Sequence, residues 1–390
     1  MAKLFARIFK NLTFISFSKA NLHLADIVVQ STDLEIMVNL AAMRYVNPHG
    51  RRAVLWWLYI GMCMTFVMVA IGGATRLTDS GLSITEWEVV KGSLPPLTEA
   101  AWQQAFEKYQ RIPQYLHQNP DMDLEGFKSI YWWEWIHRFW GRLIGLVFIV
   151  PFLYFIKKKY LRPPMYGPMV ILFLLGALQG FLGWFMVQSG LEGSDLTSVS
   201  HYRLAIHLSM AFITISYLFW LTLNIRFEAV PPSQNKYPAF RTHVKVFLAL
   251  LAVQIIYGAF TAGLDAGHAS AHWPMWNDHE WTPSGFKALQ VLWTEPAWIQ
   301  FFHRSFAYVV VVYAFWMLWS SRKLILRPQQ RKALRWVGGA ILAQFALGVF
   351  TVVGAVPLSV ALLHQFGALV LLLAALFLLH QLSPNAESSR

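Results

Sequence analysis

Cysteine is almost missing from this chain. Of 390 residues one is cysteine, Cys63, and it lies inside an apolar run. That excludes an intramolecular disulfide, a CxxC redox pair and a zinc ribbon, each of which needs at least two thiols. Charge is scarce as well. Asp, Glu, Lys and Arg make up 13% of the residues, where a soluble globular chain carries roughly 25%. Acid is scarcer than base, 20 residues against 32, for a formal net charge of +12. Such an excess could suit nucleic acid, but the basic residues fall between apolar runs. They mark a cytoplasmic membrane face, and no nucleic-acid partner is expected. What fills the chain is apolar: 56% hydrophobic residues and 18 tryptophans, with a mean hydropathy of +0.43. The apolar residues come in long runs, so the chain is an integral membrane protein in contact with lipid.

Roughly 20 apolar residues span a bilayer. Eight runs qualify, at about 53–74, 133–156, 166–188, 202–224, 242–263, 298–320, 333–355 and 357–381. Connections alternate in charge. Arg44, Arg51 and Arg52 precede the first run, Lys157, Lys158, Lys159 and Arg162 follow the second, and Arg226, Lys236 and Arg241 follow the fourth. Arg322, Lys323, Arg327, Arg331 and Lys332 follow the sixth, while the intervening connections hold most of the acids, among them Asp79, Asp265 and Glu280. Basic loops stay inside, so both termini are expected in the cytoplasm, or in the matrix of a mitochondrion. The long outer connection 75–131 contains "LTEAAWQQAFEKYQRI", which predicts a short amphipathic helix on the outer surface. The first 50 residues, with Lys3, Arg7, Lys10 and Lys19 and no acid before Asp26, fit a basic cytoplasmic tail; a mitochondrial presequence has a similar composition.

A repeat underlies the runs. "GATRLTDSGLSITEW" (73–87) is similar to "AFTAGLDAGHASAHW" (259–273), "EWIHR" (134–138) to "QFFHR" (300–304), and "LQGFLGWF" (178–185) to "AQFALGVF" (343–350). The expected fold is therefore all-α and membrane-integral, with eight transmembrane helices forming two parallel four-helix-bundle repeats. An even number of helices per copy preserves orientation, which makes the copies parallel. The division runs as a cytoplasmic tail (1–52), a first bundle (53–224), a cytoplasmic linker (225–241), a second bundle (242–381) and a C-terminal tail (382–390).

Four histidines lie inside the runs, near their outer ends: His137, His207, His303 and His364. Each sits five to eight residues past the expected start of its run, a depth of roughly 8–12 Å. His137 pairs with His303 across the repeat, and His207 with His364. Two imidazoles facing each other in a four-helix bundle suit a six-coordinate haem iron. Zinc usually wants three or four protein ligands, and a copper site stays open. A lone interfacial histidine is most often a partner for a headgroup; two equivalent pairs at matched depth are not. Arg138 and Arg304 directly follow their histidines, and Arg203 lies one turn outward of His207, where arginines could hold anionic propionates or reach for headgroups. His268 and His272 have an i,i+4 spacing that hints weakly at metal. The copies differ at Glu134, three residues before His137. Phe301 is taken as its equivalent in the second copy, with Gln300 further off. A carboxylate beside one site alone suggests chemistry there, although an acid is also at home in a helix N-terminal turn.

"GGATRLTDSGLSITEW", "YWWEWIHRFWGRLIGL", "QGFLGWFMVQSGL", "HYRLAIHLS", "GAFTAGLDAG" and "LLHQFGALVLL" recur in order over residues 54 to 380 and resemble the haem A synthase family. The likeness is to its proteobacterial and mitochondrial branch, without the paired loop cysteines of the Gram-positive one. The resemblance implies an oxidoreductase of the bacterial inner membrane, or of the mitochondrial inner membrane. It implies oxidation of the C8 methyl of haem O to a formyl by successive hydroxylations, giving haem A for cytochrome oxidase. It also implies a resident haem b on His303 and His364, substrate haem O on His137 and His207 in the first bundle, and Glu134 beside the reacting methyl. Arg138, Arg203 and Arg304 would meet propionates. Expected partners are an unidentified electron donor, haem O synthase, cytochrome oxidase assembly factors and a further copy of the chain. Residues 268–272 depart from the family pattern, so no role carries over to that loop. Two other readings compete: a dihaem b-type electron carrier, with two permanent haems and no need of Glu134, and a transporter, which would want broken helices at mid-membrane.

Overall fold

The computed structural model describes residues 45–87, 91–191, 196–227 and 237–383. Nearly all of the expected N-terminal tail, most of the linker and the end of the C-terminal tail lie outside the described residues. In chain order the helices are α1 (Pro48–Leu77), the short α2 (Glu99–Tyr109) and α3 (Pro113–Gln118), α4 (Leu124–Lys157), α5 (Pro163–Val187), α6 (His201–Arg226), α7 (Pro238–Gly263), the single turn α8 (Val291–Thr294), α9 (Pro296–Ser320), α10 (Pro328–Val353) and α11 (Leu358–Leu382). Eight of them are long and apolar enough to cross a membrane, and each expected run falls on one. No strand occurs among the described residues; Val46 and Leu161 form one isolated bridge. In lipid a span must satisfy its own backbone groups, which leaves the helix as the form these runs take.

The starts are written locally. Proline opens α1, α5, α7, α9 and α10, where its missing N–H costs nothing and its φ is already helical. α4 departs from expectation by beginning nine residues early. Asp123 caps it by accepting from Gly126 N–H at 2.8 Å, and the added turns carry Phe127 and Tyr131. Onto these pack Trp102, Phe106 and Tyr109, the buried face of α2. The amphipathic helix expected over 97–112 thus exists, and what covers its apolar face is the extension of α4 rather than lipid.

Two cores form along the spans. Val54, Trp57, Phe155, Met169 and Leu221 join α1, α4, α5 and α6, while Val244, Phe247, Ala314, Val337 and Leu378 join α7, α9, α10 and α11. Between them Val69, Phe212, Ile215, Leu369 and Leu373 close a seam of α1, α6 and α11. In a membrane such contacts hold by close packing, since lipid is as apolar as leucine. The arrangement is consistent with duplication. So are two turns that follow α1 and α7: Asp79 (φ 50°) and Asp265 (φ 51°), 186 residues apart, both adopt the left-handed conformation that few non-glycine residues enter.

Candidate functional site

All four histidines point into the bundles against a bare helix. A methyl group built on Gly72 of α1 would lie 2.8 Å from Cε1 of His137. The corresponding distances are 3.1 Å from Gly183 of α5 to His207, 3.1 Å from Gly258 of α7 to His303 and 3.0 Å from Gly348 of α10 to His364. The contact at Gly72 is one that a real side chain essentially never makes, and the other three are tighter than nine in ten real contacts, so a side chain there would force the ring to give by a few tenths of an ångström. Each imidazole therefore occupies room that glycine leaves on the preceding span.

One turn before three of these glycines stands a glutamine. Gln254 Nε2 donates to the main-chain oxygen of His303 (3.0 Å) and lies 3.1 Å from its Nδ1. Gln344 does the same for His364, at 3.0 and 3.2 Å, and Gln179 for His207, at 3.1 and 3.2 Å. Sequence reasoning missed all three. The signal was present as Q-x-x-x-G in "QGFLG", "QIIYG" and "QFALG".

In the second bundle the rings of His303 and His364 face each other at 6.3 Å between centroids, with planes 87° apart. Two metal–nitrogen bonds of about 2 Å and two ring half-widths of about 1.2 Å span about 6.4 Å, so the gap is the one a bis-imidazole iron requires. The rings border a cavity of about 260 Å³ with Arg76, Gln254, Arg304 and Gln344, where a single water needs only about 10–15 Å³. Two kinds of buried atom await a partner there. The Oε1 atoms of Gln254 and Gln344 are unpartnered, and a half-turn of either amide would offer an acceptor to Nδ1–H once Nε2 binds a metal. Arg304 also keeps Nη1 buried and unpartnered while Nη2 holds the carbonyls of Pro274 and Met275. The residues fit a haem with an anionic edge near Arg304. Among the described residues no cluster of three His, Cys, Asp or Glu could hold a bare metal ion.

In the first bundle His137 and His207 lie close enough to interact electrostatically. Glu134 is 3% exposed, and both its carboxylate oxygens accept hydrogen bonds. Ser83 Oγ and Ile84 N–H donate to Oε2, both at 2.8 Å, and Arg138 Nη2 donates to Oε1 at 2.5 Å. Arg138 also grips the carbonyls of Ile84 and Glu86 and lies over the ring of Trp87. Its counterpart Arg304 binds the matching loop of the second copy, so both arginines tie down a loop rather than reaching for headgroups. Arg203 donates to Phe185 O at 2.8 Å and stacks on that ring at 3.9 Å.

The expected partner of Glu134 needs correction. Gln300, not Phe301, stands three residues before its histidine, as Glu134 does. Gln300 is 2% exposed and donates to Gly267 O and Ser270 O, both at 2.9 Å, in the loop that matches 81–84. The copies thus differ by a carboxylate against an amide in the same seat, because one loop offers donors and the other acceptors. His268 and His272 do not converge: His268 borders the cavity, and His272 is exposed and meets Asp278 at 3.4 Å.

The COX15-CtaA family model, described as cytochrome oxidase assembly protein, matches residues 55–376. A protein of Flavobacterium johnsoniae named haem A synthase is 43% identical over 339 residues, covering 85% of this chain and 98% of its own length. One of the same name from Azorhizobium caulinodans is 44% identical over 85% of this chain and 94% of its own length. Another from Parvibaculum lavamentivorans is 41% identical over 89% and 98%.

Proposed function

The chain belongs to the COX15-CtaA family of cytochrome oxidase assembly proteins, and from that premise we propose that it is a haem A synthase. It oxidises the C8 methyl of haem O to a formyl by successive hydroxylations, for use in cytochrome oxidase. The observation that carries this reading is the pair of perpendicular imidazoles, His303 and His364, set 6.3 Å apart beside a cavity, together with a second histidine pair of matching construction. His303 and His364 hold haem b; His137 and His207 hold the substrate. When bound there, haem b would supply electron relay chemistry. Gln254 and Gln344 fix the planes of its two ligands, and Arg304 Nη1 takes a propionate.

In the first site Glu134 is held between Arg138, Ser83 and the Ile84 amide. With both oxygens engaged, it suits stabilisation of positive charge as the methyl is oxidised better than free proton exchange. Arg138 holds the carboxylate and the loop together. The electron donor approaches from outside this chain, and haem O synthase and oxidase assembly factors are the expected neighbours. The chain sits in the bacterial inner membrane with both termini cytoplasmic, placing both sites in the outer leaflet.

Pyridine haemochrome analysis of four alanine variants tests the division. His303→Ala or His364→Ala removes haem b; His137→Ala or His207→Ala spares it and weakens the hold on haem O and its oxidised products. Equal loss of haem b from both pairs overturns the assignment in favour of a dihaem electron carrier.

A further inference from the structure

Four helices, α1, α5, α7 and α10, each present a residue and, one turn on, a glycine to a histidine of the helix that follows among the spans. In three the residue is glutamine. In α1 it is Met68, in "MVAIG" (68–72), 186 residues before Gln254. Met68 packs towards Gly141 at 3.4 Å, as a methyl there would find it, and it brings no hydrogen-bonding group. The consequence is visible at the ring: Nδ1 of His137 is buried and has no hydrogen-bond partner, whereas Nδ1 of His207, His303 and His364 each lies within 3.2 Å of a glutamine amide.

A histidine that binds a metal through one nitrogen depends on what the other nitrogen meets. That second contact fixes the ring, selects the tautomer and strengthens the ligand; losing it typically weakens binding about 10–100-fold. The second bundle fastens both of its histidines in this way, as a permanent cofactor needs. The first bundle fastens only His207. A substrate must enter and its product leave at every turnover, and one firm ligand with one loose one allows this without losing position.

We propose that His137 is the exchangeable axial ligand of the first site, and that Met68 makes it so by withholding the amide that every other joint provides. Release of His137 leaves the porphyrin held by His207 and opens one face of its iron to a small molecule. That face belongs to α4, the helix on which Glu134 stands one turn outward. Ligand exchange is all that occurs in this step: one Fe–N bond breaks, one bond to the incoming ligand forms, and no electron moves. The inference rests on the reading of the first site as the substrate haem site.

Carbon monoxide binding to the reduced, purified protein carrying both haems is the test. The wild type should bind CO at one haem only, that of the first site. Met68→Gln should slow that binding about tenfold, and should slow transfer of this haem to apomyoglobin by a similar factor. Met68→Leu, which removes the thioether without adding an amide, should keep the wild-type rates. Gln254→Met makes the reciprocal change in the other copy, and should render the second haem CO-reactive whether or not Met68→Gln folds. CO binding at the second haem of the wild type, an unchanged rate in Met68→Gln or a CO-inert second haem in Gln254→Met overturns the proposal. Failure of the underlying reading is distinguishable, because His207→Ala would then retain its full haem content.

Discussion

At the scale of single residues, Glu134 and Gln300 carry the distinction between the two copies. They occupy the same seat, three residues before a histidine and each hydrogen-bonded to the matching loop of its own copy, and differ by one atom's chemistry. Glu134→Gln therefore preserves shape but replaces an acceptor where Ser83 and the Ile84 amide both donate, and leaves Arg138 without its carboxylate. Removing one side of so buried a pair costs a few kcal/mol, of order 3–5, so the variant needs a thermal scan beside its assay. The expected outcome is a fold that retains haem b while conversion of haem O falls at least tenfold. Conversion at the wild-type rate, read by chromatography of extracted haems, would leave Glu134 with a purely structural role. That a carboxylate marks one copy alone was legible in the sequence, and so was its counterpart, since "EWIHR" set against "QFFHR" puts Gln300 opposite Glu134. What the sequence did not show is that Glu134 meets donors where Gln300 meets acceptors.

At the scale of helices, the decisive positions are glycines that leave room for a ring. α5 carries Gly176, Gly180 and Gly183. A methyl group at the first two meets nothing within 4 Å, and at the third it lies 3.1 Å from His207. Gly183→Ala should therefore push the imidazole aside and lower haem retention at the first site about tenfold, while Gly180→Ala should leave the haem-to-protein ratio unchanged. Gly72→Ala, at 2.8 Å from His137, should be at least as damaging. Composition alone gives these glycines one meaning, since a membrane helix is often rich in glycine. Only the facing ring separates Gly183 from Gly180.

At the scale of the whole molecule, Arg76 joins the two halves. Its guanidinium binds Asp79 of its own turn and Asp265 of the equivalent turn in the second copy, both at 2.7 Å. Burial pushes the Asp79 carboxyl above its ordinary value and the neighbouring Asp265 adds to this, against the pull of Arg76. Arg76→Gln removes that pull. At low pH the acids are protonated and lose little; as pH rises through the elevated Asp79 value, two ionised carboxylates face each other unpaired. The variant's thermal midpoint in detergent should fall, relative to the wild type, as pH rises from about 4, the ordinary aspartate value, towards neutrality. The acids are half exposed, so the cost at neutral pH is about 1 kcal/mol. A deficit that is flat across that range would show that the triad does not couple the halves. Sidedness can be read at the same scale. In a Cys63→Ser background, Asp278→Cys should react with an impermeant maleimide from the periplasmic side, and Arg331→Cys only after the membrane is opened.

The sequence by itself determined the class and the number of spans. A bilayer admits a segment only if it is apolar throughout and satisfies its own backbone, so local composition decides the element with no help from distant residues. The family, too, could be read from motifs that recur in order. What the tertiary structure alone decided is how one helix completes another: which glutamine reaches which histidine, that His137 has none, that Glu134 meets donors where Gln300 meets acceptors, and that one arginine holds a turn from each copy. These are contacts between residues tens to hundreds of positions apart, fixed by the register of packed helices and the length of side chains. Hydrophobic periodicity carries no record of them.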